Sequence, residues 1–369
     1  MVTMVVGGAG FIGMNIVERL LIEEKTVVLF DKRPVSAPVV QHFNALPGRW
    51  TEVIGDVLDT VALCHSLRQA RVSHLFFGAA VTAGPQREAQ TPRRIIETNL
   101  VGLASVLEAA RDAGLERVIN LSSGAAYGET AHGASPLHED ALLEPIGLYP
   151  VTKATSERIV QRLAGLWSMN LVNVRLGPVF GPWELDSGVR DLLTPQLQAT
   201  QLALASGEAI LMFDDHRDWT YSRDLARALA ALMAHSALDH DMYNVSCGVS
   251  SSSSAWCEHL AAHFPGFSWR LARDGEESNV YQHGPPIRQP LVTERLEAAL
   301  GWIPQADSDA AFADWLAWLD IAPAYWEAVA AGRGKACLVV VSSNDCTDRA
   351  MLICNCSVSA LLAHILFKN

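Results

Sequence analysis

The stretch Val5-Val6-Gly7-Gly8-Ala9-Gly10-Phe11-Ile12-Gly13 decides how the chain is read. The apolar run Val2–Val6 reads as a buried strand, and Asn15–Ile22 has helical periodicity. Between them Gly7, Gly10 and Gly13 recur at a GxxGxxG spacing. Gly7 allows a tight strand-to-helix turn, Gly10 lets the backbone approach a pyrophosphate, and Gly13 lets helix and strand pack closely. Such an anion would rest on the free N–H groups that open the helix, Phe11 and Ile12 among its first residues. Thr26–Phe30 is a second β-rich run, and Asp31 closes it 18 residues after Gly13. A carboxylate there accepts from adenosine ribose hydroxyls and repels a 2′-phosphate, which favours NAD over NADP. Lys32 and Arg33 beside it are the opposing signal. Asp56, with Val57 after it, is placed at the adenine edge.

Working outward, Val53–Ile54, Leu75–Phe77, Val118–Leu121 and Leu171–Leu176 read as further strands. Helical patterns at Thr98–Ala113 and Tyr149–Leu166 separate the later ones. Strands alternating with helices predict parallel β-α-β units, hence an α/β fold with a doubly wound parallel sheet of Rossmann type. After Gly177 prolines and tryptophans break the alternation, which predicts a smaller, discontinuous α/β lobe. Ser222–His235 reads as a helix returning to the main sheet and Met242–Val245 as its last strand. The division is therefore 1–177, with 222–248 returning, for the dinucleotide domain, and 178–221 with 249–333 for a substrate lobe. The serine run Ser250–Ser254 reads as the N-cap of a helix over Ala255–Phe264.

The 369 residues are 50% hydrophobic, so a large core is expected and global disorder is excluded. The net charge of −12 argues against a nucleic-acid partner. No apolar run is long enough to span a bilayer. The chain opens on a strand pattern rather than a charged leader, so a cytoplasmic location without membrane attachment is expected. Cys64, Cys247 and Cys257 read as buried small hydrophobes. Asp214, Asp215 and His216 are adjacent on an irregular segment and read as a solvated turn, so no metal is expected.

Tyr149-Pro150-Val151-Thr152-Lys153 has the YxxxK pattern, which puts the phenol and the ammonium on one helix face. Moving a phenol pKa from about 10 to about 7 takes roughly 4 kcal/mol. A neighbouring ammonium and a positive nicotinamide can together supply that. Tyr149 is then a general acid or base for an alcohol–ketone pair. Ser122 and Ser123 close the strand that ends at Leu121, where a hydroxyl can bind the reacting oxygen.

These features together resemble the extended short-chain dehydrogenase/reductases, the NAD-dependent epimerase/dehydratase family. The resemblance covers about residues 1–320. It extends to Ala79-Ala80, Asn99-Leu100-Val101-Gly102, Ser122-Ser123-Gly124-Ala125-Ala126-Tyr127-Gly128 and Val179-Phe180-Gly181-Pro182. It continues through Arg217-Asp218-Trp219, Tyr243-Asn244-Val245 and Leu300-Gly301-Trp302. It implies Ser123, Tyr149 and Lys153 as catalytic residues, and NAD against the glycine turn, Ala79, Ala80 and Asn99. It further implies Thr82 at the pocket edge, Arg217 and Arg288 on a substrate diphosphate, and a homodimer through the Thr98–Ala113 and Tyr149–Leu166 helices. Sugar 4,6-dehydratases carry an Asp-Glu pair where this chain has Gly124 and Ala125, and decarboxylases a Glu at Ala125. A 4-epimerase of a sugar or nucleotide sugar is therefore expected first, and a net dehydrogenase of a sugar, sugar acid or other secondary alcohol second. A non-catalytic cofactor-binding protein is a remote third. One departure stands out: nucleotide-sugar members have an Asn three residues after the strand arginine, and Arg175 is followed at that point by Pro178. Residues 334–369 differ in texture, with four of the chain's 7 cysteines, and read as an accessory tail, a read-through type of extension dispensable for turnover.

Overall fold

A computed structural model describes residues 1–184, 193–305 and 307–321. The tail 334–369 and parts of the expected substrate lobe (185–192 and 322–333) lie outside the described residues. The apolar runs form β1 (Val2–Val6), β2 (Thr26–Asp31), β3 (Arg49–Ile54), β4 (His74–Phe77), β5 (Arg117–Ser123) and β6 (Leu171–Leu176). With a later strand, β10 (Met242–Val245), they build one parallel sheet in the order β10-β6-β5-β4-β1-β2-β3. The chain runs outward from β1 in one direction and resumes at β4 in the other. The order therefore reverses between β1 and β4, and a crevice opens at the carboxyl ends of those strands.

Strand alternation splits the sheet's side chains between two cores. Val5, Val27 and Leu29 face one side, packed under α1 (Phe11–Ile22), α2 (Ala37–Asn44) and α9 (Ser222–Ala234). Met4, Val6, Val28 and Phe30 face the other, under α3 (Thr60–Gln69), α6 (Gly102–Ala113) and α7 (Leu148–Trp167). Two short helices, α4 (Pro85–Gln90) and α5 (Pro92–Ile96), lead from β4 towards α6.

The remaining elements are β7 (Val179–Phe180), α8 (Pro195–Leu204), β8 (Glu208–Leu211), β9 (Thr220–Tyr221), α10 (Ser253–His263), β11 (Ser268–Leu271), α11 (Glu294–Leu300) and α12 (Ser308–Ile321). β7 pairs with β9 and β8 with β11, both in parallel. Phe180, Leu197, Leu211, Trp256, Leu260 and Phe312 form a separate apolar core. Indole rings link it to the main core. Trp256 lies 5.5 Å from Trp315, Trp315 5.8 Å from Trp318, and Trp318 5.5 Å from Trp183 between ring centroids. These large buried rings hold α12 across both cores.

Several local expectations change. The helix expected from Thr98 begins only at Gly102, because Glu97–Val101 winds as a π-turn. The serine run caps as expected, Ser252 accepting from the Ala255 N–H at 3.2 Å, but the helix starts at Ser253. Asp215 is not a solvated turn residue: it is buried and accepts from the Ser253 N–H and the Trp219 indole. The His216 backbone pairs with Pro286 and Arg288 while its ring stays exposed. Cys257 is buried, whereas Cys64 and Cys247 are part-exposed, so the reading of three buried thiols holds for one.

Candidate functional site

The glycine turn is built by steric exclusion. Gly7 has φ +81°, a conformation that L side chains rarely adopt. A Cβ on Gly7 would stand 2.7 Å from the Ala79 nitrogen, and one on Gly13 2.2 Å from the Gly7 carbonyl oxygen. Phe11 and Ile12 begin α1 and pack on the core beneath it. One Asp31 carboxylate oxygen accepts from the Ala9 N–H at 3.1 Å and the other from the Arg33 N–H at 3.1 Å. The carboxylate thus locks the turn as well as closing β2. Asp56 accepts from the Leu58 N–H at 3.0 Å and shapes the next turn in the same way.

A groove at the strand-order reversal is lined by Gly7, Gly10, Asp31, Lys32, Asp56, Val57, Ala79 and Ala80. It therefore gathers most of the residues expected around a dinucleotide. Gly13 lies inside the turn rather than on the groove. Asn99 lies beneath its edge: its Oδ1 accepts from the Val81 N–H at 2.8 Å and its Nδ2 donates to Thr152 at 2.9 Å. The π-turn is what turns this amide inward. It ties the strand-end segment Ala79–Thr82 to α7. The groove fits a dinucleotide. Its cradle is closed to any Cβ, its backbone amides open a helix, and a carboxylate stands at the end of β2.

Of the three expected catalytic residues, Ser123 stands at the carboxyl end of β5, and Tyr149 and Lys153 on the first turns of α7, with Lys153 reaching back to β5. Ser123 ends that strand, its Oγ accepting from the Ala125 N–H at 3.1 Å. Tyr149 opens α7, whose N-terminus is capped from far away by Glu88, which accepts from the Leu148 N–H at 2.6 Å. Lys153 is buried, and its Nζ donates to the Leu121 carbonyl at 2.6 Å while lying 5.8 Å from the centroid of the Tyr149 ring. Burial pulls the Lys153 ammonium down to about 8, against the Glu157 charge, which raises it.

Ser122 and Ser123 part company because side chains alternate along a strand. Ser122 donates to Glu157 at 2.5 Å. Glu157 also holds Arg175 through two hydrogen bonds of 2.9 and 2.7 Å. Burial alone would lower the Arg175 pKa, but Glu157 outweighs it and the group is held above its ordinary value. This buried pair joins α7 to β6 one helical turn below Lys153. Arg175 also covers the Tyr127 ring at 4.6 Å, and the Tyr127 hydroxyl donates to Asn244 at 2.8 Å. Glu88, Glu157 and the Tyr127–Asn244 pair were missed as supports. Alternation in β5 and the Lys153–Glu157 helical spacing are the signals that could have found Glu157.

The substrate-side arginines separate. The Arg217 Nη2 donates to the carbonyls of His283 and Pro285, the latter at 2.8 Å, and so holds the segment 283–288 in place. Arg288 places its Nη2 2.8 Å from where a Gly124 Cβ would stand. Asp218 is fully buried, accepts from the Leu291 N–H at 2.9 Å, and is pushed up by burial. Thr82 is part-buried beyond the groove edge. Pro178 offers no amide: its carbonyl accepts from the Thr220 N–H at 2.8 Å. Among the described residues no cluster of metal-ligating side chains occurs, and no helix is long and apolar enough to cross a membrane.

The family model described as "NAD dependent epimerase/dehydratase family" matches residues 3–246. A UDP-glucose 4-epimerase of Mycolicibacterium smegmatis is 26% identical over 309 residues, covering 82% of this chain and 93% of that one. A dTDP-glucose 4,6-dehydratase of Shigella flexneri is 26% identical over 267 residues, covering 66% and 71%. Among solved structures, a UDP-glucose 4-epimerase of Thermotoga maritima superposes with a TM-score of 0.71 at 21% identity, covering 87% of this chain and 99% of that one. MoeE5, solved with UDP-glucuronic acid and NAD, gives 0.65 at 26% identity with the same coverage. The chain belongs to the NAD-dependent epimerase/dehydratase family, a Rossmann-type α/β enzyme family with NAD as its cofactor.

Proposed function

We propose that the chain is a 4-epimerase of a sugar or nucleotide sugar. One observation carries this: the strand end at Ser123 is followed by two residues without a carboxyl group, where an acid for elimination would stand, while Tyr149 and Lys153 share the first turns of α7. Positions 124 and 125 are Gly and Ala, and the space a side chain at 124 would take is filled by the Arg288 guanidinium. Gly7, Gly10, Gly13, Phe11 and Ile12 would seat the NAD pyrophosphate. Asp31, Lys32, Asp56 and Val57 would flank the adenosine, and Ala79, Ala80, Asn99 and Lys153 the nicotinamide end. Bound NAD supplies a reversible hydride acceptor. The Tyr149 phenolate takes the proton of the C4 hydroxyl and later returns it to the ketone oxygen. The Lys153 ammonium stabilises that phenolate, and the Ser123 hydroxyl orients the reacting oxygen. Equilibration of UDP-glucose with UDP-galactose, and of the matching uronates, by the NAD-loaded protein tests the reading. No interconversion in either series would contradict it.

A second reading is a net dehydrogenase of a sugar or sugar acid. Pro178 supports it, because the side-chain amide that nucleotide-sugar members carry there is missing. Sustained absorbance growth at 340 nm with a free sugar or sugar acid would select it. We also propose a homodimer through α6 and α7. Val151 and Leu166 on α7, with Ile96 and Val101 just before α6, are exposed apolar side chains that such packing would cover. Light scattering of the purified protein checks this.

A further inference from the structure

We propose that Arg288 is a seat for a carboxylate on the reacting sugar, so that the preferred substrate is an acidic sugar. This rests on the proposed role of Ser123 and Tyr149. Among the described residues Arg288 makes no side-chain hydrogen bond and has no carboxylate within ion-pair distance. Its Nε is shielded from solvent without a partner. The nearest acid in charge terms is Asp218, whose Oδ1 is likewise buried and unpartnered, so the two are not joined. A guanidinium without a partner among the described residues is an incomplete fork, and a carboxylate completes it bidentately.

Its position selects which anion. Nη2 stands over Gly124, the neighbour of Ser123, and the guanidinium is within electrostatic reach of both Tyr149 and Tyr127. That is the reacting end of the site. In a nucleotide sugar the diphosphate hangs from C1, across the ring from C4, whereas a C5 carboxylate is the immediate neighbour of C4. Arg288 is therefore matched to the sugar acid and not to the diphosphate, where the family resemblance had placed it. Arg217 does not compete for the anion with its Nη2, which is committed to the 283 and 285 carbonyls. It holds the segment that carries Arg288 and adds positive potential beside it.

The test is calorimetric binding of UDP-glucuronate, UDP-glucose and UDP to the NAD-loaded protein and to its R288Q and R288K variants, with NAD retention confirming that each variant is folded. A charge-assisted bidentate contact predicts a preference for the uronate of roughly 10- to 100-fold. In R288Q that preference shrinks to within about threefold, and R288K keeps an intermediate value because it retains the charge but not the fork. Equal or tighter binding of UDP-glucose overturns the proposal. So does an R288Q defect of the same size for UDP alone, which would make Arg288 a diphosphate clamp. If no uridine ligand binds, the nucleotide-sugar reading falls, and galacturonate against galactose decides the present proposal. A preference for the acid sustains it, and no preference overturns it. Loss of epimerisation with the acid preference intact would refute only the epimerase reading.

Discussion

The two edges of the site are prepared by different physics. At the cofactor edge, backbone geometry does the work. Gly7, Gly13 and Ala79 approach so closely that no Cβ fits, and Asp31 satisfies the turn's own amides. At the substrate edge, side chains do the work, and several are left incomplete. Arg288 Nε, Asp218 Oδ1 and Arg217 Nε are all buried without a hydrogen-bond partner. The first edge is stiff because changing it means moving main chain. The second depends on side-chain polar atoms that the fold itself leaves partly unpaired. Burial lowers the Arg217 and Arg288 pKa values and raises that of Asp218.

The largest loss of activity is expected between the two edges. Tyr149→Phe removes the proton carrier and is expected to lower kcat by about 10²- to 10⁴-fold, with NAD still bound. Steady-state kinetics beside a cofactor-release assay would check both halves. Gly13→Ala strikes the stiff edge. Its new Cβ meets the Gly7 carbonyl, and overpacking of about 1–3 kcal/mol predicts roughly 10- to 100-fold weaker NAD binding. Fluorescence titration with NAD reads this directly.

Lys153 ties stability and activity to pH in opposite directions. Its pKa is about 8 in the fold against an ordinary 10.5. Between those values the unfolded chain holds a proton that the native state lacks. Stability therefore rises with pH across that window as the burial penalty of the charge is relieved. Activity moves the opposite way, because the ammonium is lost above about 8. Denaturant midpoints of the apoprotein and kcat/KM, both measured from pH 7 to 10, should diverge, and Lys153→Met should flatten both. The smallest effect is Ser252→Ala, loss of a helix cap remote from either edge. It should destabilise by about 1 kcal/mol and leave kinetics alone, as thermal unfolding and turnover would show.

The same division explains what could be read in the residues themselves. Glycine spacing, Asp31 and the strand–helix alternation are local signals, so the sheet and the cofactor edge were legible. YxxxK is a local signal too: it put Tyr149 and Lys153 on one helix face, and the Lys153 Nζ lies 5.8 Å from the Tyr149 ring centroid. The π-turn at Glu97–Val101 was not legible, because five residues of altered winding leave the apolar stripe of Thr98–Ala113 intact while turning Asn99 inward. The Glu88 cap on α7 bridges 60 residues, and the Arg217 contact to His283 spans 66. No periodicity reports such pairings. Between the two serines after Leu121 the family resemblance chose Ser123, and strand alternation, a rule available in advance, is what turns Ser122 towards Glu157 instead.

The central claim is that hydride leaves C4 and returns to C4 of the same sugar. The most direct measurement is epimerisation of a UDP-sugar deuterated at C4, with the product examined by NMR and the solution monitored at 340 nm. Deuterium is expected to stay at C4 of the epimer with no accumulation of reduced cofactor. Deuterium carried off in free NADH, or found at C6 of a dehydrated product, would contradict it.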